Sequence, residues 1–214
     1  MNYVREFVED AAIGVNVVER PEDLGGFLAP GVAAAVWNRE VGVGFQAWID
    51  AIPPAQLPSC RMIVKPDAVF DAVLEVCDQA AMPDTPLREW FVADIALLAA
   101  NFARLTGAPY MRVRLDVVTT DACRKFHLDA VTARLVCTYR GPGTHYGIAR
   151  DGADPDPVDA VPTGAPILLR GSLWPEPPVS GLVHRSPPIA GTGKTRLVLV
   201  LDPLDRAQED VALP

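Results

Sequence analysis

Met111-Arg112-Val113-Arg114-Leu115-Asp116-Val117 alternates apolar and charged residues without a break. Side chains two apart in an extended chain share a face, so this stretch reads as a half-buried strand. Downstream, Ala133 to Tyr139 is a second strand, and Ile167-Leu168-Leu169 a short third. Leu197-Val198-Leu199-Val200-Leu201 is a fourth, apolar on both faces and therefore central, with Asp202-Pro203 expected to end it. Asp151 to Pro166 is a polar, proline-rich loop. The chain has 21 prolines, many of them between residues 142 and 188, which favours turns and short strands there over long helices.

Upstream the period changes. Thr85 can cap a helix over Pro86 to Leu105, Pro86 suits its first turn, and Gly107 follows its end. Leu87, Trp90, Phe91, Leu98, Phe102 and Leu105 give it an apolar stripe at three- and four-residue steps, read as core packing. Val36 to Ile52, with Trp37, Phe45, Trp48, Ile49 and Ile52, reads as a short helix ending before Pro53-Pro54, and Pro66 to Ala81 as another. Residues 1–35 read as an irregular lead-in, with a turn at Pro30-Gly31. The fold class is α+β. One domain spans residues 1–214, with a mainly helical part over 1–107 and a β-rich, metal-binding core of the jelly-roll kind over 108–204.

Half of the 214 residues are hydrophobic, enough for a sizeable core. The net charge is -8 and no basic stripe is visible, so nucleic acid is not an expected partner. No apolar run reaches membrane-spanning length, and acids interrupt Met1 to Asp10 before any export-signal core. A cytoplasmic protein is the expectation. Cys60, Cys77, Cys123 and Cys137 form no C-x-x-C pair and read as reduced, mostly buried thiols. Gly193-Lys194-Thr195 looks like the end of a phosphate-binding loop, but Pro188 stands where that loop needs glycine and a strand follows, so it reads as a turn. No serine sits in a G-x-S-x-G elbow.

The chemistry gathers on two of the three histidines. In Phe126-His127-Leu128-Asp129 the histidine and the aspartate can face one ion, and His184 follows 57 positions later. Two imidazoles and a carboxylate occupy one face of an octahedron and leave the rest open, the ligand set of non-haem Fe(II) oxygenases. A closed zinc site would need a fourth ligand. Arg196, twelve residues beyond His184, leads the most apolar strand. A cation there is costly unless it meets a carboxylate, and a bidentate guanidinium suits the far carboxylate of a chelating 2-oxo acid.

The order His-x-Asp, distant His, then Arg resembles the Fe(II)/2-oxoglutarate-dependent dioxygenases over about Met111 to Asp202. That resemblance implies a double-stranded β-helix, with His127, Asp129 and His184 as catalytic iron ligands and Arg196 binding 2-oxoglutarate. Some members place a serine two residues after the arginine, where Val198 stands here. Tyr139, Arg140, Thr144 and Trp174 are further candidates for the co-substrate pocket. Cys123-Arg124-Lys125-Phe126-His127-Leu128-Asp129, Cys137-Thr138-Tyr139-Arg140-Gly141-Pro142-Gly143-Thr144 and Gly181-Leu182-Val183-His184-Arg185-Ser186-Pro187-Pro188 resemble a bacterial family of unknown function, DUF1826, over most of the chain. That resemblance implies an association with zinc-responsive genes. The expected function is a metal-dependent oxygenase with Fe(II) and 2-oxoglutarate, acting on a small molecule or a protein. The alternatives are a non-catalytic Zn(II)-binding protein of metal homeostasis, with Cys123 as a possible extra ligand, and a cupin-like isomerase or sensor. His145, the third histidine, lacks a spaced partner and reads as a loop or pocket residue.

Overall fold

The computed structural model describes residues 11–150 and 152–206. Met1 to Asp10, read above for an export signal, lies outside them. The strands are β1 (Gly14–Val18), β2 (Val32–Trp37), β3 (Cys60–Val64), β4 (Tyr110–Val118), β5 (Ala133–Arg140), β6 (His145–Ile148), β7 (Asp159–Ala160), β8 (Pro166–Arg170), β9 (Leu182–Arg185) and β10 (Arg196–Leu204). The helices are α1 (Val43–Ala51), α2 (Val69–Gln79) and α3 (Pro86–Thr106). Seven strands form one sheet in the order β1-β2-β8-β5-β10-β4-β3, antiparallel throughout except for β1 with β2. Three form a small antiparallel sheet, β7-β6-β9.

The alternation in β4 and β10 sets the layering. Met111, Val113 and Leu115 of β4 and Leu197, Leu199 and Leu201 of β10 pack on one face of the large sheet, in a core shared with α3 residues such as Phe91, Ile95 and Phe102. The other face turns Val198 and Val200 toward Leu182 and Tyr146 of the small sheet. β10 is internal, paired with β5 on one side and β4 on the other, as its two apolar faces require. α3 begins with the Thr85 hydroxyl accepting from the Arg88 amide (3.3 Å) and ends at Gly107, whose φ of 67° is the left-handed conformation that closes helices.

Three expectations change. The lead-in holds two strands, β1 and β2, and β3 joins the same sheet, so the N-terminal part edges the large sheet on both sides. Val32-Ala33-Ala34-Ala35-Val36 is buried and apolar on both faces, a pattern that periodicity cannot tell from a buried helix. The helix expected over Val36 to Ile52 accordingly starts only at Val43. Strand β10 also runs past Asp202-Pro203 to Leu204. Its Asp202 carboxylate is paired by Arg134 (2.6 Å), and Pro203 lies beyond the last β5 partner, where it removes no bond from that neighbour. No helix among the described residues is long and apolar enough to cross a membrane.

One polar knot lies inside the helix-side core. Asp94 of α3 takes both arms of Arg39 (2.6 Å each) and the Tyr139 hydroxyl (2.6 Å), with Tyr139 fully buried. Removing one partner of a buried pair leaves an uncompensated charge, at about 3–5 kcal/mol. Asp94→Ala is therefore expected to lose about 3–5 kcal/mol of unfolding free energy in urea titrations, whereas a loss under about 1 kcal/mol would show the network to be replaceable by water.

Candidate metal centre

The ligand cluster is assembled by backbone pairing. His127 and His184 face each other across an antiparallel bridge, each amide donating to the other's carbonyl at 3.0 Å, so the chain at His127 extends β9 sideways. The imidazoles lie 4.5 Å apart, centre to centre. Asp129, two residues on, comes to the same point: its Oδ1 is 3.6 Å from His127 Nε2 and its Oδ2 3.2 Å from His184 Nε2. One ligand atom from each of the three lies within 4.8 Å of the others, the spacing of donors around a shared ion at bonds of roughly 2 Å.

The surroundings fix which atoms face the centre. His127 Nδ1 lies 2.9 Å from the Lys125 carbonyl, which can only accept, so Nδ1 carries the proton and Nε2 keeps its lone pair. Arg134 of β5 donates to Asp129 Oδ1 and takes Asp202 of β10 with its other edge (2.6 and 3.0 Å). Asp129 Oδ2 is buried and, 3.2 Å from His184 Nε2, has no hydrogen-bond partner among the described residues. A buried carboxylate oxygen without a donor, beside two imidazole nitrogens, fits a divalent cation. Burial alone would raise the Asp129 pKa, but the two histidines and the Arg134 charge outweigh it and hold the carboxyl well below its usual range. Asp129 in turn raises the pKa of His127, against the opposing effect of burial. Gly171 lets the Asp129 loop sit close: a Cβ there would fall 2.0 Å from the Val131 carbonyl and 2.8 Å from that of Asp129.

His127 and His184 line a cavity of about 110 Å³ together with Thr144 and Arg196. Arg196 is 1 % exposed, yet its partners are all neutral: the Pro142 carbonyl (2.8 Å), Ser186 Oγ (3.0 Å) and Thr138 Oγ1 (3.2 Å). Burial pushes its pKa down to about 10. Two hydroxyls thus stand beside the guanidinium although Val198 occupies the position where serine was looked for. Gly141 makes room for the arginine stem, since a Cβ there would come 3.0 Å from Arg196 Cγ and 2.7 Å from the Thr195 carbonyl.

Three proposed pocket residues lie elsewhere. β5 has a bulge at Tyr139: Leu197 pairs with Arg140 but Val198 pairs with Thr138. The extra residue reverses the facing beyond Tyr139. Tyr139 stays in the helix-side core, and Arg140 reaches the Ile52 carbonyl of the α1 end (2.6 Å) instead of the cavity. Trp174 packs edge-on against Phe27, with Arg170 stacked 4.4 Å over its ring, also on the helix side. Cys123 lines the cavity mouth but does not belong to the ligand cluster. His145 opens β6 across from Arg185, outside the cluster, and burial together with the charges of Arg185 and Arg196 lowers its pKa. Arg134, Thr138 and Ser186 escaped the sequence reading. Arg134 carried a usable signal, a cation inside an apolar strand, the same cue that marked Arg196.

The helix-backed pair of sheets is shared with proteins of known structure. The chain shares its fold with the dioxygenase for auxin oxidation 1 of Arabidopsis thaliana, solved with 2-oxoglutarate, at a TM-score of 0.55 and 12% identity over 92% of this chain and 95% of that one. The rice dioxygenase for auxin oxidation matches with a TM-score of 0.51 and 12% identity, over 90% of this chain and 83% of that one. None of the curated proteins matches the sequence. The chain belongs to the family described as "Protein of unknown function (DUF1826)", which matches residues 18–202.

His127→Ala and His184→Ala are each expected to abolish stoichiometric divalent-metal binding, read by elemental analysis after anaerobic loading, with the unfolding transition kept. Full metal occupancy in either variant would remove that residue from the ligand set.

Proposed function

We propose that the protein is an Fe(II)- and 2-oxoglutarate-dependent oxygenase built on a double-stranded β-helix. His127, Asp129 and His184 would hold the metal, and Arg196 would bind the far carboxylate of 2-oxoglutarate. The observation that carries this reading is a buried arginine, without a carboxylate partner among the described residues, lining the same small cavity as the two histidines. A protein that only carried a metal would have no use for it. A cation beside a divalent ion is repulsive, and its burial adds a desolvation cost. A dianion between the two resolves both.

Each side chain has a physical task. Arg134 occupies Asp129 Oδ1 and leaves Oδ2 for the ion. The Lys125 carbonyl selects the His127 tautomer and its ring orientation. Thr138, Ser186 and the Pro142 carbonyl aim the Arg196 guanidinium before any ligand arrives, so little of the binding energy goes into ordering it. Bound Fe(II) would supply dioxygen activation coupled to oxidation of the 2-oxo acid. Val198 and Val200 give the cavity an apolar stretch of wall. The zinc-homeostasis alternative gains no support from these features, because the cluster offers three ligands and Cys123 is not a fourth.

Arg196→Ala is expected to weaken 2-oxoglutarate binding to the metal-loaded protein by roughly 30-fold or more, from a loss of about 2–5 kcal/mol, while metal affinity stays nearly constant. Anaerobic titration of the Fe(II) protein, following the metal-to-ligand charge-transfer band, checks it. Gly141→Ala, which crowds the same arginine, should shift the titration in the same direction. Absence of both the band and calorimetric binding at millimolar 2-oxoglutarate in the native protein would remove the oxygenase reading.

A further inference from the structure

Among the described residues, four arginines line the cavity, Arg114, Arg134, Arg185 and Arg196, against one lining carboxylate, Asp116. Arg134 is satisfied by Asp129 and Asp202. Arg196 is assigned above to the co-substrate. Arg114 and Arg185 remain. Arg114 stands in the middle of β4, opposite Val200, whose side chain lines the same cavity. Arg185 neighbours His184 and lies 4.4 Å over the ring of Phe126, the residue before His127. The two therefore flank the ligand cluster from the large and the small sheet. In each, Nε is buried and has no hydrogen-bond acceptor among the described residues. A buried guanidinium N–H without an acceptor is a costly feature that a bound ligand can relieve.

The charges of the cavity point the same way. A divalent ion on two neutral imidazoles and one carboxylate keeps one positive charge. A 2-oxoglutarate dianion neutralises that charge and Arg196. Arg114 and Arg185 then face Asp116 alone, leaving an excess of one positive charge beside the reacting centre.

We propose that the primary substrate is a small organic oxyanion, a carboxylate or a phosphonate, whose charged end is held by Arg114 and Arg185 next to the metal. This inference rests on the oxygenase reading, which assigns Arg196 elsewhere. A bidentate oxyanion would give the two Nε donors an acceptor and cancel the excess charge in one step.

The test titrates the Fe(II)-loaded protein under argon, with and without saturating 2-oxoglutarate, with four matched probes: hexanoate, hexylphosphonate, hexanamide and hexylamine. Calorimetry should show an oxyanion probe binding in the presence of 2-oxoglutarate, with the amide and the amine at least about tenfold weaker. Binding of hexanoate alone assigns a carboxylate, and of hexylphosphonate alone a phosphorus oxyanion. Arg114→Gln should weaken the probe about tenfold or more without changing 2-oxoglutarate affinity, and Arg114→Lys should restore part of the loss. Arg185→Gln gives an independent readout should the Arg114 variants not fold. Equal binding of the amide, displacement of the oxyanion by 2-oxoglutarate, indifference to both Arg114 and Arg185, or no probe binding at all would overturn the subsite. A failure of 2-oxoglutarate itself to bind appears in its own titration and counts against the oxygenase reading. The probes in the metal-only protein then still decide the oxyanion subsite.

Discussion

Arg134 ties the candidate metal centre to the fold. Its guanidinium reaches from β5 to Asp202 in the neighbouring central strand and to Asp129 in the loop before β5. Without it, Asp202 would keep only Arg112 at 3.9 Å as a charged partner, Asp129 would face the interior without a cation, and the loop carrying Asp129 would lose its anchor to the sheet. Because β10 is paired on both sides, the anchor is as rigid as the sheet itself. The histidines are placed by a second device, the reciprocal amide–carbonyl bonds between His127 and His184. A salt-bridged strand thus holds one candidate ligand and a backbone bridge the other two.

The far end of the same strand face holds Arg196, separated from Asp202 by six residues, or roughly 20 Å of extended chain. Between them Val198 and Val200 form an apolar floor. β10 therefore presents an anchoring carboxylate, an apolar stretch and a buried cation in sequence along one face, while its other face packs Leu197, Leu199 and Leu201 on the helices. A single nine-residue strand supports both the fold and the cavity.

Much of this was legible because it follows from periodicity and the spacing of rare residues. The alternation of Met111 to Val117 gave the strand and its two faces, and Thr85 with Gly107 bracketed α3 correctly. His127, Asp129, His184 and Arg196 were named from three histidines and one misplaced cation, and the structure brings them to one cavity wall and its adjoining cluster. What escaped depends on features that no short window contains. The bulge at Tyr139 exists only because β10 pairs with β5, and it turns Arg140 away from the face that strict alternation gives it. Trp174 is held by Phe27, far from it along the chain, and by Arg170 four residues before it. Strand β2 was missed because a run of alanines buried on both faces has no period to read.

That the triad and Arg196 belong to one site can be tested most directly by iron-edge anomalous diffraction from crystals grown anaerobically with Fe(II) and 2-oxoglutarate. The expected map has a single iron peak about 2 Å from His127 Nε2, His184 Nε2 and an Asp129 oxygen, with continuous ligand density running from it to the Arg196 guanidinium. An iron peak away from these three residues, or 2-oxoglutarate bound with its far carboxylate remote from Arg196, would contradict the account.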